Sequence, residues 1–258
     1  MPIRSERRGT VDFAIIDRPE RRNALNADLC DELSTFIEHG DGRRVLVIGG
    51  AGDKAFCAGA DLARRGSDVG GLEHGGGDTF RPAFDRLVDL IVEQPVPVVA
   101  AVNGAALGAG MQLAVACDVR VVAEHATFGI PAGRLGVMLS AANIARLASV
   151  VGQAMARDVL LTGRVLDVDA AERAGLVQRR GADALAAAEE LGKELAELAP
   201  LSAAGHKRAL NLIADEVQIT PAIRGELDEL AAAAFASEDL QEGLTAFSEK
   251  RKATFQGR

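Results

Sequence analysis

The stretches that decide the fold are NGAALGAGMQ at residues 103–112 and AFCAGADL at residues 55–62. Each follows a short β-branched run, at residues 96–102 and 44–48 respectively, and such runs predict buried strands. Small residues at these turns let backbone N–H groups approach a ligand, and a helix beginning in the second stretch would present its positive end there. Two such amides can stabilise negative charge on one carbonyl oxygen. For either stretch alone, close backbone packing at the strand ends explains the small residues as well as ligand binding does.

The rest of the chain places these turns in an α/β protein. Further strands are predicted at residues 11–17 and 119–123, and Asn26 can cap a helix between the first two strands. This alternation of strand and helix predicts right-handed crossovers and a mostly parallel sheet. After about residue 139 the sequence predicts helices, with caps at Asp167, Ser237 and Thr220 before Pro221.

Composition restricts the class of protein. A length of 258 residues allows one domain or two. The formal net charge of -8 argues against non-specific nucleic-acid binding, and the absence of Trp and Tyr argues against base-stacking platforms. No apolar run is long enough to predict a membrane span, and the charged N-terminus does not resemble a secretory signal. The cysteines Cys30, Cys57 and Cys117 lie too far apart for a metal or redox motif, so we expect a reduced, cytoplasmic protein without a metal.

Common catalytic motifs are absent from the sequence. It contains no dinucleotide fingerprint at the second turn, no phosphate-binding P-loop, no HExxH and no GxSxG. A glycine-rich segment at residues 66–79 has two interpretations. It is either a solvated surface loop or an active-site lid that supplies a catalytic group from Glu73, His74 or Asp78.

Taken in order, the motifs resemble the crotonase superfamily, the enoyl-CoA hydratases and isomerases. The resemblance covers nearly the whole chain, and the ordered set is specific although each piece alone is weak. Besides the two turns, it rests on residues 18–19, 23–25, 128–131 (FGIP), 161–163 (LTG), 174–177 (AGLV), 237–239 (SED) and 247–255.

The resemblance implies a spiral of repeated ββα units at residues 1–195 and a helical C-terminal region at residues 196–258 that forms homotrimers or hexamers. It also implies a coenzyme A thioester as ligand or substrate and no other cofactor. The amides of Ala60 and Ala109 would hold the thioester oxygen. The implied contacts with CoA are Arg22, Ala58, Ala60, Leu62, Phe247 and Lys250. For Lys250, a solvated charge near the C-terminus is an equally good interpretation.

The sequence departs from the family where hydration chemistry is expected. The family's two acid–base glutamates correspond to Gln112 and Ala132. An amide can orient water but cannot exchange a proton near neutral pH, and alanine can do neither. The family's water-binding glycine turn is replaced by LSAAN at residues 139–143. Within it, Ser140 is predicted to be a helix N-cap in preference to a catalytic group.

Other polar residues near the motifs receive structural interpretations. Asp118 matches the family's Cys-Asp pair and is expected to close the helix of the second turn. Arg134 is predicted to form a surface ion pair in preference to binding an anionic group of a substrate. The histidines are expected in turns or at exposed helix positions: His125, His39 and His206.

Three functions stay open from the sequence. The first is an enzyme that stabilises an enolate of an acyl-CoA and moves protons with an unconventional group. The second is a non-catalytic acyl-CoA-binding or carrier protein in fatty-acid or lipid metabolism, since both proton carriers are missing while the glycine turns are kept. The third, a scaffold subunit of a lipid-synthesis complex, is less favoured.

Overall fold

A computed structural model of the protein describes residues 2–61, 79–215 and 235–256, together with Gly225, Glu229, Ala232 and Ala233. Several predictions fall outside these residues. They are the helix cap at Thr220 and Pro221, the CoA contact at Leu62, and the glycine-rich segment up to residue 78 with Glu73, His74 and Asp78.

The described elements alternate along the chain. The strands are β1 (Ile3–Arg8), β2 (Val11–Ile16), β3 (Val45–Gly50), β4 (Ala55–Cys57), β5 (Val98–Val102), β6 (Ala105–Leu107), β7 (Val119–Ala123), β8 (Thr127–Gly129), β9 (Val165–Leu166) and β10 (Arg179–Gly181). The α-helices with described bounds are α1 (Ala27–Glu38), α2 (Phe80–Glu93), α3 (Ala109–Ala116), α4 (Ala141–Thr162), α5 (Val168–Arg173), α6 (Ala184–Ala196), α7 (Pro200–Asp215) and α8 (Glu238–Ser248). Short 3-10 helices occupy Pro19–Arg21 and Ala132–Leu135.

The strands form two sheets. The larger has the order β1-β2-β3-β5-β7-β10, in which only the β1–β2 pair is antiparallel. The smaller has the order β4-β6-β8-β9, with β4, β6 and β8 parallel. Three successive chain segments therefore each contribute one strand to the large sheet and the next to the small one, and α2 and α3 follow the first two pairs. This arrangement confirms the predicted spiral of ββα units.

The central strands of the large sheet, β2, β3, β5 and β7, are buried on both faces, which explains their largely apolar sequences. Alternate residues point to opposite sides, so Val45 and Val47 of β3 pack with Leu191 of α6, whereas Leu46 and Ile48 join the core shared with α1 and α2. The strands predicted around residues 11–17, 44–48, 96–102 and 119–123 are confirmed as β2, β3, β5 and β7.

Side-chain caps fix several helix starts as predicted. The side chain of Asn26 accepts from Leu29 N at 3.0 Å at α1, and Asp167 accepts from Ala170 N at 2.8 Å at α5. Ser237 accepts from Leu240 N at 3.1 Å at α8. These caps satisfy N–H groups that have no intrahelical acceptor.

The C-terminal helices join the core at two places. Lys207 of α7 is buried and donates to Asp118 Oδ2 at 2.8 Å, and α8 lies against the 3-10 helix Ala132–Leu135. The predicted division at residues 195 and 196 falls at the end of α6 and stays a prediction. No described helix is both long enough and apolar enough to cross a membrane.

Candidate functional site

The first Gly/Ala turn leads out of β4 and pairs with the segment before α1. Leu25 N donates to Gly59 O at 2.9 Å, and Asp61 N donates to Leu25 O at 2.7 Å. In this parallel bridge the intervening residue, Ala60, directs its own N–H away from Leu25. No described residue accepts a hydrogen bond from the Ala60 N–H.

The second turn leads from β6 into α3. Gly108 has φ 56°, a left-handed conformation that favours glycine, and its N–H donates to Gly129 O of β8 at 2.8 Å. Ala109 is the first residue of α3, so its N–H has no intrahelical acceptor. Among the described residues it has no other acceptor either.

Glycines hold the two turns against each other. A Cβ atom built on Gly59 would lie 3.1 Å from Leu107 O and 3.8 Å from Ala109 N. A Cβ atom on Gly110 would lie 1.9 Å from Cys57 O, so only glycine lets α3 approach the end of β4 so closely. The two predicted donors thus lie on turns that are in direct contact, both at the positive end of α3.

An open cavity of about 540 Å³ lies beside the first turn. Two of the predicted CoA contacts, Arg22 and Ala58, line it, and Ala58 N donates to Arg22 O at 3.0 Å. Sequence reasoning missed Lys54, which adds a second cation to the cavity wall. The complete lining is Arg22, Asp53, Lys54, Ala58, Ala105, Leu107 and His125.

A smaller cavity of about 70 Å³ lies beyond the start of α3. Gln112 lines it, one helical turn after Ala109, whereas Leu107 lines the larger cavity. Along the chain, Ala109 therefore lies between a residue that lines the larger cavity and a residue that lines the smaller one. The complete lining of the smaller cavity is Phe80, Arg81, Phe84, Asp85, Gln112, Val137, Met138, Leu139, Ser140, Asn143 and Phe235.

The smaller cavity contains a carboxylate that sequence reasoning missed. Asp85 of α2 accepts at Oδ1 from Ser140 Oγ at 3.2 Å and from Asn143 Nδ2 at 2.9 Å. Its Oδ2 lies 3.8 Å from Arg81 Nε. Burial raises the pKa of Asp85 above its ordinary value, and the hydrogen bond from Ser140 and the Arg81 charge oppose the rise. Asp85 is one of several polar residues on an amphipathic helix, so nothing in the local sequence distinguishes it from the others.

Ser140 occupies the predicted N-cap position of α4, since Ile144 N donates to Ser140 O at 3.1 Å. Its side chain does not cap the helix, because the hydroxyl donates to Asp85. The predicted cap is therefore confirmed in position and wrong in its hydrogen bond. The helix continues to Thr162, with a break at Gly152.

The second degenerate position, Ala132, opens the 3-10 helix Ala132–Leu135 and does not line the cavity of Gln112 and Asp85. Phe247 and Lys250 lie exposed at the end of α8 and just after it. The segment of Lys250 is fixed to α8 by Arg251, which donates to Glu242 at 2.6 Å and lowers the pKa of that carboxyl to about 2. The chain by itself brings neither Phe247 nor Lys250 to the lining of either cavity.

The remaining predicted polar residues have structural contacts. Asp118 Oδ2 accepts from Val98 N at 2.7 Å as well as from Lys207, which confirms a structural role. Arg134 is predicted to form a surface ion pair, but its described contact is with the backbone. The guanidinium donates to Gly163 O at 3.1 Å, at the end of α4. His125 Nε2 contacts Asp53 O at 2.7 Å, His39 ends α1, and His206 is exposed on α7.

The cysteines are free and buried, as inert thiols usually are. Burial raises the pKa of Cys57 and of Cys117 to about 12 in each case, and it also raises the pKa of Cys30. Cys57 nevertheless matters to the site through its carbonyl, which contacts Gly110.

Comparisons with known proteins agree with this geometry. Residues 6–258 match the family described as Enoyl-CoA hydratase/isomerase. A probable enoyl-CoA hydratase of Mycobacterium bovis is 42% identical over 94% of each chain, and a crotonyl-CoA hydratase of Syntrophomonas wolfei is 36% identical over 93% of this chain and 92% of its own. The crystal structure of an enoyl-CoA hydratase/isomerase from Pseudoalteromonas atlantica superposes with a TM-score of 0.83 at 32% identity, covering 99% of this chain and all of that one. The chain therefore belongs to the enoyl-CoA hydratase/isomerase family of the crotonase superfamily.

Proposed function

We propose that the protein binds an acyl-CoA thioester, with the thioester oxygen between the N–H groups of Ala60 and Ala109. The observation that carries this proposal is the contact between the two glycine turns. At this contact, neither the Ala60 N–H nor the Ala109 N–H has a described acceptor. Backbone donors fixed in this way stabilise negative charge that develops on the oxygen when the thioester becomes an enolate.

The two cavities suit the two ends of such a ligand. Arg22 and Lys54 supply positive charge for phosphates in the larger cavity, although the whole chain is acidic. The smaller cavity is walled by Phe80, Phe84 and Leu139 among others, which suits an apolar acyl group. A thioester placed beside Ala109 would have its CoA part on the side of Leu107 and its acyl part on the side of Gln112.

Ordinary hydration is expected to be weak or absent. Gln112 lies in the cavity but cannot exchange protons, and Ala132 carries no polar group. Loss of one acid–base group typically reduces a rate by about 10²–10⁴. We expect crotonyl-CoA hydration at least about a thousandfold slower than in a relative that has both carboxylates. A conventional turnover rate would contradict this expectation.

The second candidate function is a non-catalytic acyl-CoA carrier in fatty-acid or lipid metabolism. It is favoured by the same observation that argues against hydration: the binding amides are kept where the acid–base positions are lost. The two functions differ in whether a bound acyl-CoA undergoes any proton transfer.

One preparation can decide between them. Acyl-CoAs of increasing chain length are titrated calorimetrically, and the same compounds are assayed for hydration, isomerisation and hydrolysis. Micromolar binding without product supports the carrier, and product supports the enzyme. Failure to bind any acyl-CoA refutes both.

The donor itself can be tested by Ala109→Pro. Proline is accepted at the first position of a helix, so this change removes the N–H with little cost to α3. We expect acyl-CoA affinity to fall at least tenfold while the melting temperature changes little. The matched control is Ala27→Pro, the same change at the first residue of α1, which should bind normally. Equal affinity in both variants contradicts the role of the Ala109 amide.

Assembly and location belong to the same proposal. Leu201, Leu210 and Ile213 of α7 are exposed large apolar side chains, as expected for a helix that packs against other subunits. A homotrimer or a hexamer would bring Phe247 and Lys250 of one chain near the ligand of another. A cytoplasmic location and the absence of any cofactor besides CoA stay predictions.

A further inference from the structure

We propose that Asp85 is the proton carrier of the acyl cavity, taking over the task that Gln112 and Ala132 cannot perform. This inference rests on the proposed acyl-CoA function and deepens it. Asp85 and Gln112 line the same cavity, and Gln112 stands one turn from the amide of Ala109. The carboxylate is thus at the acyl side of the proposed oxyanion site, on a different helix from either degenerate position.

The hydrogen bonds of Asp85 leave one oxygen for exchange. Ser140 Oγ and Asn143 Nδ2 both donate to Oδ1, whereas no described residue donates a hydrogen bond to Oδ2. Arg81 Nε lies 3.8 Å from Oδ2, beyond hydrogen-bond distance. The side chain is 32% exposed, so solvent can renew its proton.

A second layer of contacts holds the donors in place. Arg146 Nη1 donates to Asn143 Oδ1 at 2.8 Å, which directs the amide nitrogen of Asn143 toward Asp85. Arg146 Nη2 in turn donates to Asp89 Oδ1 at 2.7 Å. Ser140, Asn143 and Arg146 are therefore positioning residues for Asp85.

The charged groups around Asp85 come from two helices. From α2 they are Arg81, which favours the carboxylate, and Asp89, which opposes it; from α4 the charge is Arg146, held behind Asn143. Gln112 on α3 is neutral. Burial outweighs the favourable contacts and raises the pKa of Asp85 above its ordinary value.

The step needs no co-reactant. Asp85 Oδ2 takes a proton from the carbon next to the thioester carbonyl, and the electron pair of that C–H bond becomes the C=C bond of an enolate. The negative charge moves to the thioester oxygen, held by Ala60 and Ala109. Return of the proton to the same carbon restores the C=O bond, and with a 3-enoyl group its delivery two carbons further along completes a double-bond shift. A 1,3-proton shift requires one base and no activated water, which fits a site without the two glutamates.

Hexanoyl-CoA in D2O is the probe, because it has acidic α-protons and no double bond to hydrate or move. Binding is measured by calorimetry and α-proton exchange by NMR on the same samples. We expect the wild-type protein to bind and to exchange these protons, with a rate that rises as Asp85 deprotonates. Asp85→Asn keeps the shape and an oxygen for Ser140 and Asn143, and should slow exchange by about 10²–10⁴ at unchanged affinity.

The controls separate this inference from the proposed function. Asp31→Asn, on the exposed face of α1 and outside the lining of both cavities, should exchange like the wild type. Ser140→Ala should move the pH inflection upward, since it removes a hydrogen bond to the charged form, which loss of packing alone would not do. Binding without exchange, or equal exchange in Asp85→Asn and wild type, overturns the role of Asp85, whereas no binding at all overturns the proposed function. If Asp85→Asn fails to fold, the inflection in the wild-type profile and its shift in Ser140→Ala still decide.

Discussion

The Cα atom of Gly110 lies so close to the Cys57 carbonyl that an added methyl group would stand 1.9 Å from its oxygen. Cys57 ends β4 and Gly110 belongs to the first turn of α3. This contact fixes the helix start against the first glycine turn. The geometry of both proposed donor amides therefore depends on the absence of one side chain.

Gly110→Ala is expected to damage binding and stability together. The backbone of β4 cannot yield as a flexible side chain would, so we expect a loss at the upper end of overpacking costs, about 3 kcal/mol. Chemical denaturation and hexanoyl-CoA calorimetry measure the two effects. Gly205→Ala on exposed α7 is the control, because nothing lies within 4 Å of its built Cβ. That variant should gain about 0.5–1 kcal/mol and bind normally.

Lys207→Met is expected to loosen the C-terminal helices. Lys207 donates to Asp118 Oδ2 and also to the carbonyl oxygens of Ile91 and Val96, each at 3.2 Å. Breaking a buried pair from one side costs about 3 kcal/mol. Thermal unfolding should show a melting temperature lower by several degrees, whereas Arg208→Met, at the exposed neighbouring position, should change stability by less than about 0.5 kcal/mol. An equal effect in both variants would show that the pair contributes nothing.

Asp85→Asn is expected to change stability in a pH-dependent direction. Since the folded pKa of Asp85 is raised, the folded state binds more protons than the unfolded state between the two pKa values. The wild-type protein therefore loses stability as pH rises through that window, which begins at the ordinary Asp value of about 3.9. The amide variant does not titrate, so its stability relative to wild type should be higher at pH 7 than at pH 4.

Urea denaturation at both pH values tests this expectation, with Asp31→Asn as the matched control. Asp31 shares an ion pair with Arg86 and is more than half exposed. Its substitution should give no gain at pH 7. If the stability of Asp85→Asn relative to wild type falls from pH 4 to pH 7, the pKa of Asp85 is not raised in the folded state.

Restoring both carboxylates, Gln112→Glu with Ala132→Glu, is expected to recover some hydration of crotonyl-CoA. Each group supplies about 10²–10⁴ when correctly placed. A spectrophotometric assay of loss of the conjugated thioester measures the rate. The single substitutions serve as controls and should recover less than the pair. No gain in the double variant, with acyl-CoA binding retained, would contradict this expectation.

Much of the fold could be predicted because its long strands are apolar on both faces. β3 begins with the apolar run VLVI, β5 consists of Val and Ala alone, and Asn26 marks the start of α1. The small sheet could not be predicted from periodicity. Its strands have two or three residues, too few for alternation to appear, and only the family resemblance implied them.

The site was predictable only where backbone conformation needs glycine. Gly59 and Gly108 mark the turns, and the resemblance supplied the amides beside them. Asp85 escaped prediction because a single polar residue on an amphipathic helix has many uses, and its partners Ser140 and Asn143 are more than fifty residues away. Lys54 escaped prediction for the same reason, because it lines the cavity together with residues that are distant in the sequence, such as Leu107 and His125.

A binding site built from main-chain N–H groups, as proposed for Ala60 and Ala109, would have an evolutionary consequence. Ordinary codon changes replace side chains and leave the peptide N–H in place, so such a site would keep its affinity for the thioester oxygen while the reactive groups around it change. Ala60 and Ala109 carry nothing beyond a methyl group, and many replacements there would keep the donor. Substrate class is thus inherited robustly in such a scaffold, and the reaction performed on that substrate is the trait that selection can rewrite.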